Sequence, residues 1–242
     1  MMLVVGATGA TGQLLVQELL DNGHEVKVIV RSPNKLPDAV RGHNRLSVIH
    51  ASLLDLSDGE LAHIGEGCTG IASCLGHNLS FKGIYGKPRR LVTDAMRRLS
   101  EAVKANQPDQ PVRMVLMNTA GNSNRDLKEP ISFGEKCVIG LLRLLLPPHP
   151  DNEQAADYLR TQIGQNHQHI EWAVVRPDSL LNEDQVSPYT LHASPIRSAI
   201  FNAGQTSRIN VAHFMATLMT EDELWNSWQG QMPVIYNKTS SD

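Results

Sequence analysis

The chain is poor in the features that mark export, membranes and nucleic acid. Its 3 cysteines, Cys68, Cys74 and Cys137, fall in no CxxC or ligand spacing, and an odd count of this kind reads as reduced thiols. The longest apolar stretch, Cys137 to Pro148, is well short of the ~20 residues a membrane helix needs and is interrupted by Arg143. The start carries no basic segment followed by a cleavable apolar one, so no export signal is read there and the cytoplasm is the expected location. A net charge of -3 excludes the basic excess that phosphate-backbone binding demands, so no nucleic-acid partner is expected. The 10 histidines fall in no HExxH pattern, and no metal site is expected.

What is present is an ordinary globular composition, 41% hydrophobic and 19% charged over 242 residues, enough for one α/β unit spanning residues 1–242. Short β-branched runs alternate with helical patterns along most of the chain. Residues 2–5 and 25–30 read as strands around a helix at 11–21, with Leu14, Leu15 and Leu19 on one face. Further strands are expected at 46–50, 70–75, 112–118 and 170–175. Helices are expected after the Ser57-x-x-Glu60 capping box, over Val92 to Val103 and at 152–164. Such alternation predicts parallel pairing through crossover helices, because parallel neighbours cannot be joined by a tight turn. The expected architecture is a Rossmann-type doubly wound parallel sheet. Residues 176–242, with a helix near Val211 to Met219 and a late strand "PVIYN", are expected to form a small substrate-side cap sharing the core.

The most informative stretch is "VVGATGATG". Gly6, Gly9 and Gly12 follow a strand and open a helix, the context in which glycines let backbone N–H groups approach a pyrophosphate at a helix N-terminus. Thr8 and Thr11 add hydroxyls at the bend. At the end of the second strand an acidic residue would hold the ribose of NAD; here Arg31 stands, followed by Ser32 and Lys35. Two cations and a hydroxyl suit a 2′-phosphate, so NADP(H) is expected in preference to NAD(H).

With "VVRPDSL" and "SRINVAHFM", these motifs resemble the atypical short-chain dehydrogenase/reductases of the NmrA-like and biliverdin IXβ (flavin) reductase-like NAD(P)-binding family, over nearly the whole chain. The resemblance implies pyrophosphate contacts at Gly6, Thr8, Gly9, Ala10, Thr11 and Gly12, and 2′-phosphate contacts at Arg31 and Lys35. It places Ser52 and Leu53 at the adenine, where the family's Gly-Asp is here Ala51-Ser52. Within "CLGHN", Leu75, Gly76 and His77 would lie beside the ribose and pyrophosphate. Asn118, Thr119 and Ala120 would end the fifth strand beside the nicotinamide, with Pro177 and Ser179 bordering the ring from the other side.

The Tyr-x-x-x-Lys pair of common short-chain dehydrogenases is missing: Tyr158 is followed four positions on by Gln162, which disfavours alcohol dehydrogenation and ranks sugar-nucleotide epimerisation last. Hydride transfer to a conjugated acceptor needs mainly alignment of two ring planes, since the proton can come from water. The expected activity is an NADPH-dependent reduction of a small flavin, quinone or tetrapyrrole-type acceptor, with Thr119 as the candidate catalytic hydroxyl. The alternative is a non-catalytic NADP(H) sensor that signals to a protein partner. Between Gly121 and Pro150 the insertion, with its apolar "VIGLLRLLL", is expected to line a substrate pocket, form a lid or pack on the core, and "KPRR" at 87–90 reads as a solvated helix start.

Overall fold

The computed structural model describes residues 1–77 and 85–238. An eight-stranded sheet in the order β3-β2-β1-β4-β5-β6-β10-β8 forms the centre. Its strands are β1 Met2–Val5, β2 Val26–Val30, β3 Leu46–His50, β4 Gly70–Ser73, β5 Val112–Met117, β6 Ile170–Pro177, β8 Tyr189–His192 and β10 Val234–Asn237. All pairings but one are parallel; only β8 runs antiparallel, against β10. β1 and β4 are buried at every residue, as expected for central parallel strands covered on both faces.

Helix α1 (Ala10–Asp21) packs with α7 (Arg208–Thr220), the seventh helix among the described residues, on one face of the sheet. Leu15, Leu19, Val211 and Phe214 are wholly buried there, and each such side chain contributes roughly 1.5 to 3 kcal/mol through burial. α2 is the short turn Asp38–Arg41. On the opposite face lie α3 (Asp58–Gly65), α4 (Leu91–Asn106) and α6 (Pro148–Tyr158), built around Met96, Leu99 and Trp172. α5 (Phe133–Leu145) is the inserted element and leans on α6, while α8 (Asp222–Trp228) closes the series. Among the described residues no helix is long and apolar enough to cross a membrane.

The sequence expectations hold for each of the six leading strands, with three shifts. α6 begins at Pro148 rather than 152, because a proline in the first turn gives up only N–H groups that have no intrahelical partner, and the helix widens to a π-turn over Leu159–Ile163. β4 stops at Ser73; the Cys74 N–H still donates to the Val5 carbonyl at 2.9 Å, and residues 75–76 lie outside the strand. β6 runs on to Pro177, since Arg176 and Pro177 pair with Val234 and Ile235 of β10. The C-terminal part is therefore partly a continuation of the sheet. Its separate piece is a two-stranded pairing of β7 (Ser179–Leu181) with β9 (Gln205–Ser207).

The strand order reverses between β1 and β4. In such sheets the crevice outside the carboxyl ends of the strands is where ligands bind.

Candidate functional site

At that reversal the chain forms a cleft of about 490 Å³ lined by the ends of the four neighbouring strands: Val5 and Gly6 after β1, Val30 and Arg31 after β2, Ala51 to Asp55 after β3, and Cys74 to Gly76 after β4. Thr8, Gly9 and Lys35 complete the wall on one side, and Lys87, Pro88 and Leu91 on the other. Two glycines here are dictated by space. A Cβ on Gly6, at φ +77°, would sit 2.4 Å from the Cys74 carbonyl carbon, and one on Gly12 would sit 2.2 Å from the Gly6 carbonyl oxygen. The bend thus brings the first turn of α1 hard against the end of β1.

α1 starts at Gly9 with no side chain capping it and no acidic residue in its first turn. α3 and α5 instead carry complete capping boxes, Ser57 with Glu60 and Ser132 with Glu135. A helix leaves its first N–H groups unpaired, so the opening of α1 offers partial positive charge and donors to the cleft. Arg31 and Lys35 stand on the same wall with no carboxylate bonded to either among the described residues. Cys74 also lines the cleft, but burial pushes its thiol up to about 12, which keeps it protonated and unreactive at neutral pH.

Of the residues expected to hold a dinucleotide, Gly6, Thr8, Gly9, Arg31, Lys35, Ser52, Leu53, Leu75 and Gly76 converge on this cleft. Ala10, Thr11 and Gly12 belong to the first turn behind it, Thr11 being 5% exposed. Ser32 precedes the short 3-10 turn Pro33–Lys35 that presents Lys35. The His77 imidazole does not face the cleft: its Nε2 lies 2.8 Å from Asp151 Oδ2 and the side chain is 4% exposed. Asn78 of the same motif lies outside the described residues.

Asp151 is a residue that the sequence did not reveal. Its two carboxylate oxygens accept hydrogen bonds from the backbone of Val92 (2.9 Å) and Thr93 (3.0 Å), and Thr93 Oγ1 donates to its carbonyl at 2.9 Å. A side chain 58 positions away in the chain therefore caps α4 and holds His77 at the same time. Lys87 is the second omission. The expected solvated start of α4 places Lys87 and Pro88 in the cleft wall, because the chain must cross the cleft's rim to enter α4.

The end of β5 lies apart from this cleft. Asn118 braces the turn, donating from Nδ2 to the Asn152 carbonyl (2.9 Å) and accepting at Oδ1 from the Thr119 N–H (2.9 Å). Thr119 Oγ1 accepts from the Gly121 N–H at 3.3 Å. Ala120 donates its N–H to the Pro177 carbonyl at 2.8 Å, and Ala120 and Gly121 open onto a second cavity of about 200 Å³ walled by Ile131, Ile139, Ile196 and Ile200. Ser179 is exposed and donates its N–H to Gly204. Within the "RPDS" motif, the residues that carry most of the bonding are the other two. Arg176, wholly buried, binds Glu129 of the insertion at 2.8 Å and the carbonyls of Asn122, Ala193 and Met232. Asp178 accepts from the Gly204 N–H at 2.8 Å, and burial raises its carboxyl above the usual range.

A glycine bend at a strand reversal, an uncapped helix start and two cations with no carboxylate partner among the described residues meet at one cleft. The chain matches the NAD(P)H-binding family model over residues 6–222. It belongs to that family. The fold is shared with solved structures of low identity, each covered nearly end to end. A short-chain dehydrogenase/reductase from Veillonella parvula DSM 2008, in complex with NADP, superposes with a TM-score of 0.70 at 18% identity, over 99% of this chain and 95% of that one. The oxidoreductase ylbE from Lactococcus lactis gives 0.69 at 16%, over 99% and 92%. A Streptococcus pneumoniae TIGR4 protein provisionally named an NADH-flavin reductase gives 0.65 at 16%, over 98% and 99%. No curated protein matches the chain in sequence.

Proposed function

We propose that this protein is an NADPH-dependent oxidoreductase that delivers hydride to a small conjugated acceptor of the flavin, quinone or tetrapyrrole type, without a Tyr-x-x-x-Lys pair. The observation that carries the reading is the convergence of Arg31 and Lys35 on the cleft formed by the glycine bend. The dinucleotide, when bound, supplies the hydride. The residues of the chain would supply everything else: the N–H groups at the start of α1 bind the diphosphate, Arg31 and Lys35 the 2′-phosphate, and Ser52 and Leu53 the adenine. Asn118, Ala120, Pro177 and Ser179 are assigned to the nicotinamide end.

Thr119 is the assigned catalytic hydroxyl. Its oxygen accepts from Gly121, which leaves its own proton free to be donated. The cavity beside Ala120, lined by four isoleucines together with Glu129, Glu135 and Arg197, suits one ring of an acceptor that carries polar groups at its edge. Proton delivery from water suffices for such acceptors, which fits a site without a tyrosine–lysine pair.

Stopped-flow oxidation of enzyme-bound NADPH by a panel of flavins, quinones and tetrapyrroles is expected to accelerate with at least one class; acceleration by none would overturn the reading. Thr119→Val is expected to lower turnover by up to about a hundredfold with NADPH affinity nearly unchanged, equivalent to about 1 to 3 kcal/mol of transition-state stabilisation. Thr119→Ser should keep turnover. A non-catalytic NADP(H) sensor is the second reading, favoured by the engagement of Asn118 at both ends of its amide. A sensor would bind NADP⁺ and NADPH with different affinities and retain a protein partner in one state, and Thr119→Val would not matter.

A further inference from the structure

α5 is apolar on more of its circumference than the core can use. Ile139 points inward at 9% exposed, whereas Phe133 (82%), Leu144 (79%), Leu141 (54%) and Leu145 (51%) point out. Phe133, Cys137, Leu141 and Leu144 follow one another at helical spacing, so the outward residues make a single stripe along the helix. Phe201, 64% exposed, extends it sideways: a Cβ on Gly134 would meet its ring at 3.5 Å. A helix apolar on both faces is normally covered on both.

We infer that this face binds a second copy of the chain across a two-fold axis. The first argument is area. The two phenylalanines and the leucines around them offer on the order of 600 Å² per copy, at the upper end of what a monomer leaves open, and two such faces bury roughly 1,200 Å², the threshold for a specific interface. The second is self-complementarity, which a two-fold contact requires. Two α5 helices crossing antiparallel about a centre between Cys137 and Gly140 set Phe133 against the partner's Leu144, while the small residues at the centre let the helix axes approach closely. Charge supplies the third. Lys136 and Arg143 lie off the stripe, and Arg143, half-exposed, is neutralised by Glu153 at 2.8 Å, which leaves an uncharged centre suited to protein and little of the cationic rim suited to a lipid surface.

Size-exclusion chromatography with light scattering at micromolar concentration is expected to give twice the chain mass for the intact protein. Phe133→Asp with Leu144→Asp should give a monomer with an unchanged circular dichroism spectrum, because both side chains are exposed. A short bis-maleimide should link two copies through Cys137, the exposed thiol of the three, and fail with Cys137→Ser. A wild-type monomer would overturn the inference, as would a dimer indifferent to both substitutions. So would a monomer that binds anionic phosphatidylserine vesicles through this face, which would assign it to a membrane surface.

Discussion

Two helix starts a short distance along the sheet from one another are finished in opposite ways. α1 opens at the glycine bend with no capping side chain, beside Arg31 and Lys35; α4 opens on the carboxylate of Asp151, which takes the N–H groups of Val92 and Thr93 in its first turn and the His77 imidazole. Both ends carry the same partial positive charge and the same need for an anion. The protein supplies the anion for α4 from within and returns no side chain to α1, whose opening the proposed function gives to the diphosphate. A structural cap and a phosphate site are therefore one physical device, and what distinguishes them is whether the chain returns a carboxylate to the spot.

The largest effect is expected from removing the internal anion. Asp151→Ala strands two buried N–H groups and removes a buried partner of the His77 ring, and should cost about 3 to 5 kcal/mol in chemical denaturation, with Asp151→Asn costing less because one oxygen still accepts. The converse change gives α1 its own anion. Gly9→Asp places a carboxylate at the start of α1, where a Cβ is tight but tolerable at 3.2 Å from the Gly6 oxygen. Denaturation should shift by less than about 1 kcal/mol, since a cap gained over glycine is worth only a few tenths, whereas calorimetric NADPH affinity should fall more than about a hundredfold, or roughly 2.7 kcal/mol.

Arg31→Ala sharpens the comparison by testing the neighbouring charge. It should weaken NADPH by about 1.5 to 3 kcal/mol, roughly tenfold to a hundredfold, and leave NADH almost unaffected; equal losses in the two titrations would show that Arg31 does not read a 2′-phosphate. Lys87→Gln is the smallest change, expected to cost NADPH binding about 1 kcal/mol or less and to flatten its salt dependence. If Lys87→Gln lowers affinity as much as Arg31→Ala, the cleft is read chiefly from the α4 side.

One pair reports on the insertion by pH. Burial works against ionised Glu153, but the His149 ring 3.4 Å away and the hydrogen bonds from Arg143 together outweigh it and hold its carboxyl down to about 2. A depressed carboxyl stabilises the fold above its unfolded value of about 4.3 and loses that contribution as pH falls through about 2. Arg143→Leu should therefore flatten the acid limb of the stability curve between those values.

Legibility followed the range of the interaction. The strand–bend–helix of residues 2–21, the capping box at Ser57 and Glu60, and Arg31 after β2 were all readable, because each is settled by residues within a few positions of one another. Period, turn chemistry and capping are local. The sequence by itself thus determined a parallel α/β sheet, the place of its glycine bend and the sign of the charge beside it. Only the tertiary structure decided that His77 turns to Asp151 and not to the cleft, that Lys87 joins the cleft wall, and that Arg176 reaches Glu129 across 47 positions. Those are pairings of buried or converging charges from separate elements, and a charge in a sequence carries no mark of which distant partner will offset its desolvation. The exposed half of α5 belongs with them: its pattern of leucines reads the same whether the second face meets the core, solvent or another chain.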